Sequence, residues 1–292
     1  MSEPKKFRAA LVQMRTGRDV IGNIDACARL VREAKSLGAE YVQTPEQTSL
    51  MELDRASLFA HIVEEERDPA LAAFQELARE LQIHLHIGSL AVKVLPEKAA
   101  NRTFFIDPKG EIIARYDKIH MFDVNLANGE SYRESNTYRP GEVAVVVPLP
   151  FCKVGLTICY DVRFPALYRA LAEAGADVLT VPAAFTKQTG EAHWHLLLRA
   201  RAVETGCFVL AAAQGGHHEN GRDTFGHSLV VDPWGRVIAE AGIEPGVTIA
   251  DIDLSLVAEA RGRVPALEHG RRFEIVAPPK DGGKLHLVDK AS

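Results

Sequence analysis

Cys159 closes the apolar run of KVGLTICYDVRFP and is followed by a polar Tyr-Asp-Val-Arg before Pro165 opens a helix. A thiol at a strand-to-helix elbow stands at the carboxyl end of a sheet, beside backbone amides that can receive a developing oxyanion; the N–H of Tyr160 is the nearest. The competing reading is a packed structural thiol, and that reading suffices for Cys27, Cys152 and Cys207. A cysteine nucleophile also needs a base and a cation or donor set. No histidine is paired with Cys159 by spacing. Glu46 ends another apolar strand, YVQTP, and strand ends of one sheet converge on one rim, so it is the candidate base, against the alternative of a solvated turn carboxylate. Lys118 follows IIARYD and places an ammonium on the same rim unless it is ordinary surface charge. Glu134, in GESYRES, has less support from spacing. Arg163, four residues after Cys159, offers a planar fork for a substrate carboxylate, or else braces the elbow through Asp161.

The elements that must position these residues follow from periodicity. Residues 6 to 14 read as a buried strand, and 20 to 37 as a helix with Ile24, Cys27, Ala28, Val31 and Ala34 on one face, stopped at Gly38. A strand leads to Pro45 and Glu46, Asp68-Pro69 opens a second helix, and Ile83, Leu85 and Ile87 alternate with His84 and His86 in the next strand. RTFFIDPKGEIIARY and HSLVVDPWGRVIAEA are both hairpins, with Asp-Pro-x-Gly building a type I turn. Between them the pattern gives strands at 143–148, 154–159, 176–182 and 207–213 and helices near 164–174 and 191–205. Strand-helix units mixed with hairpins imply mixed sheets covered by helices. No linker composition interrupts the chain, which gives one domain over 7–260 and a tail over 261–292 rich in Arg, Pro and Gly.

Composition removes several function classes. The 39 acidic side chains outnumber 34 Lys and Arg, a net charge of −5, and no basic block extends beyond Lys5 and Lys6. That withholds the positive surface needed for nucleic acid or an anionic membrane. No stretch has the length of a membrane span, and MSEPKKFRAALVQM lacks a secretory cleavage site. Four dispersed cysteines do not form a disulfide framework, so a cytoplasmic, thiol-reducing location is expected. His193 and His195 point to different helix faces with no carboxylate placed to complete a site; His84 and His86 share a strand face, explained by solvent or helix packing. No metal and no cofactor are expected. Trp194 reads as core, and GGHHENGRD as a loop.

Longer motifs then narrow the reading. Glu46 in TPEQ, Lys118 in RYDKIHMFDV and Cys159 in TICYDVRFP stand in the order and context of a Glu-Lys-Cys triad. Over residues 7 to about 275 the chain resembles the nitrilase, or carbon-nitrogen hydrolase, superfamily. GESYRES, TGEAHWHLLLRARAVETGCFVLAAAQ, FGHSLVVDPWG and RVPALEHGRR are similar to its Nit amidase branch of deaminated glutathione amidases and ω-amidases, and AAAQGGHHENGRDTFGHS looks nearer to the former. Thr44 departs from the apolar or aromatic residue usual before Pro45. The resemblance implies an α/β fold, a four-layer α-β-β-α sandwich with two mixed sheets, and a homodimer or higher homo-oligomer paired through helices, which the C-terminal tail would cross unless it is simply a frayed end. It implies Glu46 as general base, Lys118 as oxyanion stabiliser, Cys159 as nucleophile and Glu134 as a second glutamate that supports the lysine and the substrate. The expected activity is hydrolysis of the terminal amide of a small carboxylate-bearing substrate through a thioester, releasing ammonia. The same residues would serve an ω-amidase, a nitrilase or an N-carbamoyl hydrolase, and a silent binding protein could keep the fold.

Overall fold

The computed structural model describes residues 6–126, 129–277 and 286–288. In chain order its first half comprises β1 (Lys6–Gln13), α1 (Val20–Ser36), β2 (Tyr41–Gln43), α2 (Arg55–His61), α3 (Pro69–Leu81), β3 (His84–Leu95), β4 (Lys98–Ile106), β5 (Ile112–Asp117), β6 (Asp123–Asn125) and β7 (Ser131–Arg133). The second half adds β8 (Val145–Pro148), β9 (Lys153–Leu156), α4 (Pro165–Glu173), β10 (Val178–Thr180), α5 (Lys187–Thr205), β11 (Phe208–Ala211), β12 (Gly215–His217) and β13 (Asp223–Phe225). It closes with β14 (Leu229–Val231), β15 (Val237–Glu240), β16 (Gly246–Asp253), α6 (Ser255–Arg263), β17 (Ile275–Ala277) and β18 (His286–Val288).

Among the described residues these make two six-stranded mixed sheets, ordered β16-β1-β2-β3-β4-β5 and β15-β14-β11-β10-β9-β8. Alternation along β1 shows how they are layered. Ala10 and Val12 pack with Ile24, Cys27 and Val31 of α1 and with Leu71, Phe74 and Leu77 of α3, while Phe7, Ala9 and Leu11 join the cluster that holds the second sheet, α4 and α5. Period-2 strands between period-3.6 helices leave no other arrangement with both faces covered, so the layers run α-β-β-α, as the motifs implied. Asp68 caps α3 with its carboxylate on the N–H groups of Ala70 and Leu71, and Pro69 stands at the first helical position. Both Asp-Pro-x-Gly turns close as expected, Gly110 N on Asp107 O and Gly235 N on Asp232 O, each at 2.9 Å.

Several local expectations change. β9 ends at Leu156, not at Cys159, because Thr157 turns its hydroxyl to Thr180 O at 2.6 Å and the N–H of Ile158 goes to the buried Asp161 carboxylate. The long helix begins at Lys187, ahead of Gly190, which sits inside it because a Cβ there would meet the Phe225 ring at 2.3 Å. GGHHENGRD is not a plain loop but the β12–β13 hairpin. His84 and His86 face the other sheet rather than solvent or helix: His86 is fully buried, stacked on Phe105, and His84 meets Phe151 edge-on. Burial lowers the His86 pKa to about 3, so it is neutral, with Nδ1 at 2.9 Å from the Tyr41 hydroxyl. The domain edge placed at residue 260 falls inside α6, where Arg261 bonds Thr205 O and Ala176 O and secures the helix to the second sheet's end. No helix of the described residues is long and apolar enough to cross a membrane.

Among the described residues one of the closest backbone approaches lies at Gly88 of β3. A Cβ on Gly88 would lie 2.2 Å from Thr44 O, 2.4 Å from Pro45 O and 2.5 Å from Pro182 Cβ. Backbone carbonyls cannot yield as a side-chain tip can, so Gly88→Ala should cost about 1–3 kcal/mol of unfolding free energy by overpacking. Gly242→Ala, with nothing within 4 Å, serves as the control and should stay within about 0.5 kcal/mol. Urea unfolding of both proteins checks this, and equal stability would refute the close-approach argument.

Candidate functional site

Three strand ends and one short turn deliver the four titratable residues expected to work together. β2 runs into Thr44-Pro45-Glu46. The Thr44 hydroxyl accepts from Gly88 N at 3.0 Å and lies 2.7 Å from the Thr48 hydroxyl, which itself bonds Pro45 O. The unusual threonine therefore fastens the turn that carries Glu46. β5 is reversed twice relative to β3 through β4, so it points the same way as β2 and β3, and Lys118 emerges from the same rim. Lys118 is fixed on both sides of its peptide, N–H to Asn101 O and C=O from Gly141 N, at 2.9 and 2.8 Å. Glu134 begins a 3-10 turn after β7.

Cys159 begins another 3-10 turn, Cys159–Arg163, with φ +48°, a left-handed value rare outside glycine. Its N–H is tied to Pro182 O at 2.9 Å. The turn is held by Asp161, which accepts from Ile158 N (2.9 Å), the Tyr116 hydroxyl (2.6 Å) and His120 N (3.0 Å), with His120 Nδ1 at 2.7 Å. Tyr116 and His120 flank Lys118, so one fully buried carboxylate locks the cysteine elbow to the lysine segment. Tyr160 is the second residue of the turn, where backbone N–H groups lack an intrahelical acceptor.

The side chains meet at Lys118. Its Nζ lies 2.9 Å from Glu46 Oε1 and 3.0 and 2.9 Å from the two oxygens of Glu134. Asn101 Nδ2 donates to the same two carboxylates at 2.8 and 3.2 Å, Ala184 N donates to Glu46 Oε2 at 2.8 Å, and Phe122 N to Glu134 Oε2 at 2.7 Å. Glu46, Lys118 and Cys159 are all buried, yet all line one pocket together with Glu134 and Tyr160. Burial works to raise the Glu46 pKa, but the charge and hydrogen bond of Lys118, with contributions from Cys159 and Arg222, leave it below the ordinary carboxylate value. Burial works to lower Lys118, and the two carboxylates overcome it and hold the ammonium well above its usual range. The Cys159 thiol is pushed far up by burial and by the Glu46 charge, against the opposing pull of Lys118. The resting site is thus carboxylate, ammonium and neutral thiol.

Arg163 stands elsewhere than expected. It does not line the pocket; its guanidinium lies 5.3 Å from the Phe185 ring centroid and 5.8 Å from that of Tyr160, 3.4 Å from His193 Nδ1. Nor does it brace Asp161, whose oxygens are taken by the four groups above. Sequence reasoning missed Asn101, Tyr138 and Arg222. Tyr138 lines the pocket with Glu134, and Arg222 comes from the β12–β13 hairpin. The histidine reading also changes: Glu240 lies 2.8 Å from His195 Nε2 and 2.9 Å from His227 Nδ1, so a carboxylate does stand beside His195. Trp194 is core, with its indole N–H on His227 O.

Comparison with known proteins agrees with this arrangement. The carbon-nitrogen hydrolase family matches residues 8–262. The deaminated glutathione amidase of Yersinia enterocolitica is 38% identical over 278 residues, 94% of this chain and 96% of that protein. The human deaminated glutathione amidase is 40% identical over 267 residues, 90% of this chain and 81% of its own. Among solved structures, the C. elegans NitFhit protein superposes with a TM-score of 0.85 at 36% identity, over 92% of this chain and 66% of that longer one. Saccharomyces cerevisiae Nit3, of branch 10 of the nitrilase superfamily, gives 0.81 at 29% identity, covering 92% and 97%. A chain matched along most of its length in sequence and fold belongs to the carbon-nitrogen hydrolase family, and is a hydrolase of carbon–nitrogen bonds.

Proposed function

We propose that the protein is a cysteine amidase acting on deaminated glutathione, and that Glu46, Lys118, Cys159 and Glu134 carry the reaction. The observation that supports it most directly is the buried contact of Glu46 and Lys118 beside a neutral thiol in one pocket. The substrate rests on the relatives' names at about 40% identity. The nucleophile draws support from a glutamate-to-glutamine mutant of the amidase from Nesterenkonia sp. AN1, 28% identical with a TM-score of 0.75, which shows covalent addition of the acetamide moiety of fluoroacetamide at the active-site cysteine.

In this reading the Cys159 sulfur bonds to the amide carbon as its proton passes to Glu46. The resulting oxyanion is received by Lys118 and the Tyr160 N–H. Lys118 has three N–H donors: one serves Glu46 and one the paired oxygens of Glu134, which leaves the third for the oxyanion. Glu134 holds that geometry. The C–N bond breaks as Glu46 returns the proton to the leaving nitrogen, leaving a thioester. Glu46, ionised again, takes a proton from water; hydroxide adds to the thioester, and the sulfur leaves with the proton back from Glu46. One correction concerns the product. Both amides of glutathione are secondary, so its deaminated form releases an amine-bearing fragment; ammonia comes from a primary amide such as α-ketoglutaramate, or from a nitrile. An assay must therefore follow amine release from deaminated glutathione alongside ammonia from α-ketoglutaramate and from a simple nitrile.

We also read the protein as a cytoplasmic homodimer. Four cysteines present as thiols support a reducing compartment. Leu196 and Val203 are exposed on the outer face of α5, next to exposed Trp234, whose turn Arg199 fixes by bonding Gly235 O. A second copy laid helix to helix would cover this apolar strip, and exposed Phe273, Ile275 and Val276 of the tail suit a segment crossing to the partner. Sedimentation should show a dimer for the wild type and a monomer for Val203→Glu; a monomeric wild type rejects the pairing.

Cys159→Ala should fold normally and turn nothing over, while Cys27→Ala, a core thiol, keeps most activity. Glu46→Gln should lose about 10²- to 10⁴-fold in kcat, the usual worth of a general base. Appreciable turnover by either folded site variant removes these residues from the mechanism. Lys118→Met adds a test through pH. In the wild type the lowered Glu46 pKa stabilises the fold above the ordinary carboxylate pKa, and that contribution is lost as pH falls through the folded value. Without the ammonium, burial raises Glu46 above its unfolded value, so the variant gains from protonation as pH falls. The stability gap between wild type and Lys118→Met should accordingly be wide at pH 7 and narrow towards pH 4 in urea unfolding; a constant gap contradicts the ion pair.

A further inference from the structure

Arg222 is the pocket cation whose hydrogen bonding is incomplete. Its Nη2 donates to Ala184 O at 2.5 Å and its guanidinium lies 5.2 Å from the centroid of the Tyr132 ring, but its Nε–H is buried without a partner. The other cations of the lining are engaged: Lys118 between two carboxylates, and Arg133 on Val124 O, Tyr132 O and Asn125 Oδ1. An N–H buried without an acceptor is costly, the more so on a charged group, so a fixed guanidinium with an unused edge inside a pocket is suited to an anion.

Its position says which part of the substrate the anion belongs to. Ala184 donates its N–H to Glu46 Oε2 and accepts Arg222 on its carbonyl, so a single residue spans the two. Glu46 is the group that hands a proton to the departing nitrogen, and whatever that nitrogen carries therefore leaves along the side where Arg222 stands. We infer that Arg222 binds a carboxylate on the amine half of the substrate, so that the preferred leaving group is an amino acid or short peptide rather than ammonia. This rests on the amidase reading above. The pocket volume of about 240 Å³, about eight waters at roughly 30 Å³ each, exceeds the carboxamide group itself and gives substituents around it room. Arg163, behind the Phe185 and Tyr160 rings, does not compete for that carboxylate.

The test compares deaminated glutathione with its C-terminal carboxamide, which differ only in the carboxylate of the leaving half. The readout is the ratio of their kcat/KM values, which cancels any general loss of activity. Arg222→Gln should collapse that ratio by about 100-fold, mostly through KM, with Arg222→Lys retaining part of it and Arg163→Gln leaving it intact. Calorimetric binding of both compounds to Cys159→Ala, with and without Arg222→Gln, measures the same preference without turnover, so it decides the role of Arg222 even if the wild type hydrolyses neither. An unchanged ratio in Arg222→Gln reduces Arg222 to a brace for Ala184 and overturns the proposal. So does a collapse in Arg163→Gln instead, or an absence of binding by both compounds.

Discussion

A single ammonium buried between two carboxylates is the constraint around which the rest of this molecule is arranged. Lys118 is 2% exposed, and its attraction to Glu46 and Glu134 repays desolvation only if the other lone pairs of the two carboxylates are also met. The structure meets them with backbone N–H groups from Ala184 and Phe122 and with the amide of Asn101, which bonds both acids. Removing Lys118 would leave two carboxylates facing each other without their cation. The cluster therefore demands that segments far apart in sequence arrive in one register, and the two-sheet architecture supplies that registration.

Each segment is held by a local device rather than by the strand ladders. The Glu46 turn is pinned by Thr44, Thr48 and the absence of a side chain at Gly88; the Cys159 turn is pinned to the Lys118 segment by Asp161. His120, which bonds that aspartate, also stacks on Phe164 with ring centroids 3.5 Å apart and planes within 7°. Two residues beside the chemistry, Gln47 and Cys159, take positive φ outside glycine. Backbone strain of this kind persists only where surrounding bonds over-determine it, and here the bonds responsible are visible.

This explains what could be read from the chain. Strands, helices and both Asp-Pro-x-Gly hairpins were legible because their signals are local: periodicity, a cap, a turn residue. Glu46, Lys118 and Cys159 were legible because each follows an apolar strand, and like-oriented strands share a rim. Asn101 left no such mark, since a polar residue inside an alternating strand looks like a solvent-facing position until the opposite sheet covers it. Arg222 was hidden because GGHHENGRD has the composition of a loop, with no apolar alternation to mark the pairing of Gly215–His217 with Asp223–Phe225. Arg163 was the converse, a residue near the cysteine in sequence but turned behind the pocket's aromatic wall. Proximity along a turn fixes where a Cα stands and leaves the direction of a long side chain to packing.

The cysteines carry the argument one step further. Burial drives the thiols of both Cys27 and Cys159 far above their ordinary pKa, so acidity does not distinguish the two. What differs is the company: Cys27 faces the helix–sheet core, whereas Cys159 faces a carboxylate that Lys118 keeps ionised. A thiolate formed in advance would stand beside Glu46 and repel it, while a neutral thiol keeps its proton available to that base until the substrate carbon arrives. The lysine that depresses the acid and receives the oxyanion is thus also what allows a high-pKa cysteine to serve as nucleophile in the proposed reaction. A site built this way couples proton transfer to attack, and its rate depends on the alignment of sulfur, carboxylate and carbonyl that the Asp161 and Gly88 contacts maintain.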